Sequence, residues 1–444
     1  MIFYHCKYRF CETLKNNDCI RHDLIQAKMD DIAIFILINV DLKTLLIMRR
    51  LSKKFCQILT LRLRNLLWQL TRFDTDIMSE PQLFYLAKTQ LIKNNVCAGN
   101  NSSFIITDDA TDPSTLSQVY AFGDNKYGKL GLEDDDNHYG IIKKIYNIVQ
   151  VCSNETQTLL LDDQGIVYTC GANFYGDLQP QLEWINKIFR NNKCSDDNYI
   201  SLRIIEDLPP IIEISNNENC CAVLSKNGKV YIISSQLQDK GIISIPFLVT
   251  DLENIVHISL NDLFGLALDN NGMLYGFSLD IMGIINTPIL IDEINVAQIY
   301  HDKLLLTNNK IKRLSLQNHK LLTSHFAVDK TDFINYNDYD NQVYPNNIVQ
   351  IATGLYHTIY LTITGEVYVV GSNGYGQLGI GNINDRVDYP IKLNLSNIIK
   401  IAAGSYHSLF LTANEKVYAC GRNDKKQIIS SKYDIICFPK EVIY

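Results

Sequence analysis

The chain has 444 residues, of which 46% are hydrophobic and 20% are charged. This composition is typical of folded globular domains and argues against a disordered or fibrous chain. The longest uninterrupted apolar run, Ile32 to Ile38, is seven residues, and a membrane-spanning helix needs roughly 20. The first twenty residues mix charges with aromatics and lack the apolar core of a signal peptide. We expect an intracellular protein, cytoplasmic or nuclear, with no membrane span.

The net charge of −7 is unevenly distributed along the chain. Residues 1–94 carry 15 Lys/Arg against 9 Asp/Glu, a net of +6, whereas residues 95–444 carry 26 against 39, a net of −13. This difference predicts that the two parts have different roles. The twelve cysteines are scattered without regular pairing, which favours free thiols in a reducing compartment.

Residues 24–60 show the apolar spacing of two short amphipathic helices, separated by a break near residues 39–41. The segment resembles an F-box, the helical module by which adaptors dock onto the linker subunit of cullin-based ubiquitin ligases. The residue types expected of that module are found at Asp31, Ile32, Ile36, Leu37, Val40, Asp41, Leu45, Arg49, Leu51, Ser52, Lys53 and Phe55. Adding the apolar Leu42 and Met48, the predicted linker-binding residues are Asp31, Ile32, Ile36, Leu37, Leu42, Leu45, Met48, Leu51, Ser52 and Phe55.

The match departs from an F-box at its start, where Lys28-Met29 replace the usual Leu-Pro. A plain helical cap is the alternative interpretation, because any amphipathic helix pair shows similar spacing. Residues 1–23 form an N-terminal extension and residues 61–94 a helical connector. A zinc site in the extension is an alternative for its thiols and imidazole, but the spacing matches no common zinc finger. The residues concerned are Cys6, Cys11, Cys19 and His22.

The remainder of the chain, residues 95–444, is built from repeats. Clear copies of the phrase Val-Tyr-x-x-Gly begin at Val119, Val167, Val367 and Val417, and weaker copies begin at Val230, Leu274 and Ile311. The seven copies recur about every 50 residues. Short β-branched and aromatic runs between Gly and Asn turns predict strands, so each repeat is expected to be a small antiparallel sheet. Such sheets must stack to bury their faces, and seven of them suit a closed propeller.

The clearest repeat reads Ile-Ala-Thr-Gly-Leu-Tyr-His at residues 351–357 and Gly-Ser-Asn-Gly-Tyr-Gly-Gln-Leu-Gly at residues 371–379, and residues 401–423 repeat most of it. This pattern resembles the repeat of the regulator-of-chromosome-condensation family, whose members form seven-bladed β-propellers. The resemblance covers residues 95–444 and is weakest between residues 200 and 346. The apolar segment from Ile435 to Tyr444 is expected to close the ring by placing the last strand against the first.

The chemistry-like motifs of the repeats are interpreted as structural. Residues 123–130 have the Gly-x4-Gly-Lys spacing of a phosphate-binding loop, but Leu130 replaces the hydroxyl residue that would bind magnesium. His357 and His407 occupy equivalent places in two repeats, which favours a bridging role within the blades. The acidic run 133–136 predicts a solvated loop. The structural positions are Gly123, Gly128, Gly171, Gly176, Gly354, His357, Gly371, Gly376, Gly404, His407 and Gly421.

A docking module followed by a repeat ring is the plan of a non-enzymatic adaptor. We expect the F-box-like helices to bind a ubiquitin-ligase linker subunit and the propeller loops to bind an unknown protein substrate. No catalytic residue, cofactor or metal is predicted, and the charge of −13 argues against nucleic-acid binding by the ring. The alternatives are a guanine-nucleotide exchange factor for a small GTPase, as the family resemblance suggests, and a structural interaction protein with a vestigial F-box.

Overall fold

The chain divides into two compact units, Met1–Ile92 and Lys93–Tyr444. The computed structural model describes only residues of the second unit. The described ranges are 95–107, 117–132, 138–172, 199–217, 220–238, 241–260, 264–278, 288–292, 296–300, 303–306, 311–316, 333–336, 344–383, 386–428 and 433–444. The predicted N-terminal extension, the F-box-like residues from Asp31 to Phe55 and the connector therefore lie outside them, as does the acidic run 133–136.

The described residues form four-stranded antiparallel sheets, each made of four strands that follow one another in the chain. Sheet 1 contains β1 (Asn95–Ala98), β2 (Ser102–Thr107), β3 (Gln118–Gly123) and β4 (Tyr139–Ile141). Sheet 2 contains β5 (Ile148–Ser153), β6 (Gln157–Asp162), β7 (Val167–Ala172) and β8 (Tyr199–Ile204). Sheet 3 contains β9 (Ile211–Asn216), β10 (Cys221–Ser225), β11 (Val230–Gln238) and β12 (Gly241–Leu248). Sheet 4 contains β13 (Ile255–Leu260), β14 (Phe264–Asp269), β15 (Leu274–Ser278) and β16 (Ile289–Asp292).

Three further sheets follow in the chain, giving seven in all. Sheet 5 contains β17 (Val296–Tyr300), β18 (Lys303–Leu306), β19 (Ile311–Leu316) and β20 (Phe333–Tyr336). Sheet 6 contains β21 (Ile348–Thr353), β22 (His357–Thr362), β23 (Val367–Ser372) and β24 (Arg386–Lys392). Sheet 7 contains β25 (Ile398–Ala403), β26 (His407–Thr412), β27 (Val417–Arg422) and β28 (Ile435–Glu441). A single 3₁₀ turn, Lys126–Gly128, is the helical element of the described residues.

The repeated phrase of the sequence marks the third strand of each sheet. All seven copies, including the three weak ones between residues 230 and 315, fall on β3, β7, β11, β15, β19, β23 and β27. The first strand of each sheet contacts the first strand of the next sheet, and β25 of the last sheet contacts β1 of the first. The sheets thus surround a common centre, and the expected mainly-β propeller is confirmed.

The way the ring closes differs from the expectation. The last strand, β28, pairs with β27 of its own sheet, and β1 pairs with β2, so the described residues show no strand exchange between the two ends. Closure instead depends on packing of β25 and β26 against β1. A tilted contact between the rings of Tyr120 and Tyr444, 4.9 Å apart, adds to this seam. Each sheet takes its four strands from one continuous stretch of chain, so Ile435 pairs within its own sheet, opposite Arg422 of β27.

The hydrophobic core lies between neighbouring sheets, and the alternation of side chains along each strand creates it. On β6, Leu160 packs into a cluster with Phe104 of sheet 1. Leu159 and Leu161 point to the other face and pack with Val223 of sheet 3. Sheet 2 therefore buries both faces against its neighbours, which is why the middle of β6, residues 159–161, is apolar.

Side-chain amides link the first strands of adjacent sheets. The amide of Gln150 in β5 donates to the carbonyl of Ile214 in β9 at 2.8 Å and accepts from its N–H at 3.0 Å. Gln350 in β21 makes the same pair of bonds to Ile401 in β25, at 3.0 and 3.1 Å. Glu213 in β9 accepts from a backbone N–H of β13 at 3.1 Å. These links satisfy backbone groups that the sheets themselves leave unpaired at their inner edges.

Candidate protein-interaction surface

The alternation of strand direction gives the ring two different faces. The loops that join first to second strands and third to fourth strands emerge on one face, which we name the long-loop face. For sheets 6 and 7 the described residues of this face are 354–356, 373–383, 404–406, 423–428 and 433–434. The short hairpins between second and third strands, together with the links between sheets, emerge on the opposite face. Sites that combine residues of several sheets are expected on the long-loop face because its loops are the longest.

A repeated turn begins the loops after β3, β23 and β27. The side-chain oxygens of Asn125, Asn373 and Asn423 each accept a hydrogen bond from the backbone N–H five residues later, at 2.9–3.0 Å. The preceding glycine has a left-handed backbone, with φ of 112° at Gly371, and a Cβ there would overlap the carbonyl of Tyr356. The glycines of this turn therefore serve backbone geometry. Gly176, the sheet 2 equivalent of Gly128 and Gly376, lies outside the described residues.

Lys129, the lysine of the motif that resembles a phosphate-binding loop, is bonded inside the propeller. The Lys129 side chain is fully buried, and its Nζ donates to the carbonyl of Glu155 at 2.9 Å and lies 3.3 Å from Oδ2 of Asp124. Burial lowers the pKa of Lys129, and the Asp124 carboxylate partly offsets that effect. The ammonium thus links sheet 1 to sheet 2 and does not face an open phosphate site.

The two equivalent histidines also connect neighbouring sheets. Nε2 of His357 lies 3.0 Å from Oγ of Ser408, and Nε2 of His407 lies 2.9 Å from Oγ of Ser103 across the closing seam. Both side chains are buried. Burial lowers the pKa of His407 from 6.5 to about 4, so its imidazole is neutral at physiological pH. In the described structure these histidines connect neighbouring sheets.

The most distinctive surface feature is a group of aromatic rings around one guanidinium group, and we name it the aromatic cluster: Tyr356, Tyr375, Tyr406 and Arg422. The rings of Tyr375 and Tyr406 are 4.9 Å apart, and those of Tyr356 and Tyr406 are 6.2 Å apart. The guanidinium carbon of Arg422 lies 5.4 Å from the centre of the Tyr375 ring and 5.8 Å from that of Tyr406. This geometry allows cation–π attraction to two rings at once.

The aromatic cluster is accessible to a partner. Tyr356 is 62% exposed and Tyr375 is 38% exposed, and the adjacent Leu355 is also exposed. Tyrosine and arginine are enriched at the energetic centres of protein interfaces because they offer large, fairly rigid contact area with polar ends. The cluster spans loops of sheets 6 and 7, so its surface exists only when both sheets are folded side by side.

The charges around the aromatic cluster are mainly positive. Arg422 donates from Nη2 to Oδ2 of Asp424 at 2.6 Å. Partial burial acts to raise the pKa of Asp424, but the bond and the charge of Arg422 outweigh it and lower that pKa. Residues 421–428 also contain Lys425 and Lys426, giving this loop a net charge of +2, whereas residues 354–356, 371–383 and 404–406 carry no charge. The cluster is thus a basic, aromatic patch on an acidic ring.

The structure places the sequence-predicted residues in two groups. The repeat glycines other than Gly176, and both histidines, lie in loops and at strand ends. The predicted linker-binding residues, from Asp31 to Phe55, are outside the described ranges. Sequence reasoning missed the aromatic cluster, although the Tyr-His pair of two repeats contains two of its members. The described ranges contain no group of three or more metal-ligating side chains. No helix among them is long and apolar enough to cross a bilayer.

Comparison with known proteins identifies the repeats. The model "Regulator of chromosome condensation (RCC1) repeat" matches residues 364–411, and a second model of the same repeat matches residues 348–377 and 398–427. Over 100 residues the chain is 34% identical to the rat (Rattus norvegicus) "Probable E3 ubiquitin-protein ligase HERC4". This alignment covers 20% of this chain and 9% of that protein. It is 22% identical over 308 residues to the mouse (Mus musculus) "RCC1-like G exchanging factor-like protein", covering 66% of this chain and 56% of that one.

Among solved structures, Prp20p from Saccharomyces cerevisiae matches with 16% identity and a TM-score of 0.41, covering 79% of this chain and 76% of that chain. That structure was described together with its binding to Gsp1p and histones. The curated ligase relative is matched over less than a tenth of its own length. The repeat matches coincide with sheets 6 and 7, where the aromatic cluster lies. Residues 348–427 therefore consist of regulator of chromosome condensation repeats, in a chain that folds as a β-propeller.

Proposed function

We propose that the protein is a non-enzymatic adaptor that recruits a protein partner through the long-loop face of a seven-bladed propeller. The observation that carries this proposal is the exposed aromatic cluster. It concentrates three tyrosines and one arginine on one face, and such residues commonly form the energetic centre of an interface. Lys129 and His407 are buried and each is hydrogen-bonded to a neighbouring sheet, so neither side chain is presented to a partner.

We further propose that residues 24–60 attach the propeller to a cullin-type ubiquitin ligase. The support is the match of residue types to an F-box and the positive charge of residues 1–94, which sets this segment apart from the acidic ring. The linker subunit would contact the apolar faces that include Leu45 and Phe55. In this arrangement the helical segment binds the ligase and the propeller presents the captured protein.

Photo-crosslinking tests the role of the long-loop face. A photoreactive amino acid is incorporated in place of Tyr356, which is 62% exposed, or of Tyr146, which is 53% exposed on the opposite face. We expect a discrete crosslinked adduct from position 356 in cells and none from position 146. Adducts at both positions, or only at 146, would contradict recruitment by the long-loop face.

Reconstitution tests the docking segment. The full chain is mixed with a purified ligase linker subunit and analysed by size-exclusion chromatography, alongside the Leu45→Asp, Phe55→Asp double variant. We expect co-elution of the unaltered chain and its loss in the variant, while the circular dichroism of the β-rich propeller is unchanged. Failure of the unaltered chain to co-elute, when a control F-box does so, would refute the ligase role and favour a vestigial module.

Nucleotide exchange on a small GTPase is the second candidate function. It is favoured by the similarity over 66% of the chain to a relative named as an exchanging-factor-like protein. The test measures release of a labelled guanine nucleotide from a panel of small GTPases on addition of the full chain. Accelerated release from one GTPase would support exchange over the adaptor role, and the absence of any acceleration would exclude it for that panel.

A further inference from the structure

We infer that the aromatic cluster binds an acidic peptide segment that contains an aromatic or large apolar side chain. This inference rests on the proposed function and adds the chemical class of the partner. The tyrosine rings offer flat surfaces for a side chain of the partner, and the guanidinium of Arg422 lies on the rings with part of its donors committed to Asp424. A guanidinium has five N–H donors in a planar fork, and that fork suits carboxylates.

Charge complementarity selects an acidic partner. The loop at residues 421–428 has a net charge of +2, and the other loops of the aromatic cluster are uncharged. The ring as a whole has a net charge of −13. A carboxylate-bearing segment gains most where the surface is locally basic, and the acidic remainder of the ring restricts it to that place.

The aromatic rings also explain why simple charge attraction is not the whole interaction. Tyr356 is exposed and its ring lies 6.2 Å from that of Tyr406, and the neighbouring Leu355 is exposed as well. Covering such apolar and aromatic surface with a partner is favourable. The guanidinium of Arg422 contacts the rings of both Tyr375 and Tyr406, so this surface is partly preorganised for binding. A segment with both carboxylates and an aromatic side chain would use every exposed group of the cluster.

Stacking surfaces with basic side chains also bind single-stranded nucleic acid. The net charge of −13 over residues 95–444 argues against that alternative, because a phosphate backbone carries many charges and is repelled by a domain of like overall charge. A short peptide segment carries fewer charges and is repelled less. An acidic protein segment is therefore the partner that the described residues favour.

Fluorescence anisotropy with the full-length chain tests this inference. The probe is a short fluorescein-labelled peptide with one tryptophan flanked by aspartate and glutamate residues. Three comparison probes are the same peptide with asparagine and glutamine as the flanking residues, the same acidic peptide with alanine in place of tryptophan, and a labelled oligothymidylate. We expect the acidic tryptophan peptide to bind most tightly, with an affinity that falls as salt concentration rises.

Two single substitutions each remove one member of the aromatic cluster and are expected to have little effect on the fold. Arg422→Ser introduces the residue that sheet 6 has at the equivalent position, Ser372, and Tyr356→Ala truncates an exposed ring. Each is expected to weaken binding by about tenfold or more. The matched controls are Lys416→Ala, which removes a cation that is also paired with a carboxylate but lies on the opposite face, and Tyr146→Ala. Neither control is expected to change the affinity.

The outcomes separate this inference from the proposed function. Equal binding of the amide peptide, unchanged binding by both cluster variants, preferential binding of oligothymidylate, or no binding of the acidic peptide would each overturn the acidic-segment inference. If crosslinks still form at position 356 in that case, the long-loop face recruits a partner of different chemistry. If no such crosslinks form, the adaptor proposal itself fails.

Discussion

Replacement of His407 by glutamine should remove a defined part of the pH dependence of stability. The pKa of the buried His407 imidazole is lowered from 6.5 to about 4 because burial disfavours the charged imidazolium. Between these two values the unfolded chain binds a proton that the folded chain excludes, so stability is complete above pH 6.5 and is lost as the pH falls towards 4. The difference in pKa corresponds to roughly 3 kcal/mol in total, and about 2 kcal/mol of it is lost between pH 7.5 and pH 5.

The assay is urea unfolding of the full chain, followed by far-UV circular dichroism at pH 7.5 and at pH 5. Glutamine is chosen because sheet 2 has Gln157 at the equivalent position. The unaltered chain should lose about 2 kcal/mol more than His407→Gln on acidification. Ser103→Ala, which deletes the hydrogen-bond partner, should lower stability by about 1 kcal/mol at both pH values and keep the pH dependence. Identical pH dependence in the unaltered chain and His407→Gln would refute the reasoning.

Three further predictions concern unfolding free energies, measured by the same urea assay. Gln350→Ala should lower the free energy of unfolding by about 2 kcal/mol because it leaves two backbone groups of the next sheet unpaired. The control Gln164→Ala, on an exposed hairpin, should be nearly neutral. Equal effects of the two substitutions would contradict the linking role of Gln350. Glu415→Gly should stabilise the chain by about 0.5–1 kcal/mol because this residue has φ of 67° at a turn where four other hairpins have glycine; a loss of stability would argue against that strain. Gly404→Ala should cost roughly 3 kcal/mol or more because its Cβ would overlap a buried histidine ring and a backbone carbonyl across the closing seam. Gly374→Ala, with open space around it, should be tolerated, and similar behaviour of the two glycine variants would disprove the packing argument.

The propeller could be predicted from the sequence because its signal is repeated. Each copy of Val-Tyr-x-x-Gly lies on a third strand, and even Ile311, in a copy that keeps only the apolar start, begins such a strand. Apolar content in strands and glycine at left-handed turns are local requirements, so they are visible in a window of a few residues. The mode of closure could not be predicted in this way, because an apolar segment such as Ile435 to Glu441 has the same pattern whether it pairs with its own sheet or another.

The aromatic cluster was hidden from sequence reasoning for a different physical reason. Tyr356, Tyr375 and Tyr406 belong to three separate loops, and Arg422 to the end of a strand. They meet only because sheets 6 and 7 stand side by side with their loops on the same face. The spacing of residues within one repeat does not predict contacts between side chains of two repeats. The linking role of Gln150 and Gln350 was missed for the same reason, since each side chain binds the backbone of the next repeat.

The closing seam has a consequence for how the ring could be rearranged. Every described sheet is built from four successive strands, so no backbone ladder crosses from the last sheet to the first. The seam between sheets 7 and 1 is therefore one where neighbouring sheets are held without a direct chain link, by contacts such as His407 with Ser103. A circular permutation that joins residue 444 to residue 95 and opens the chain at residue 394, between β24 and β25, would preserve every ladder. Such a permutant would place the seam that lacks a chain link between sheets 6 and 7.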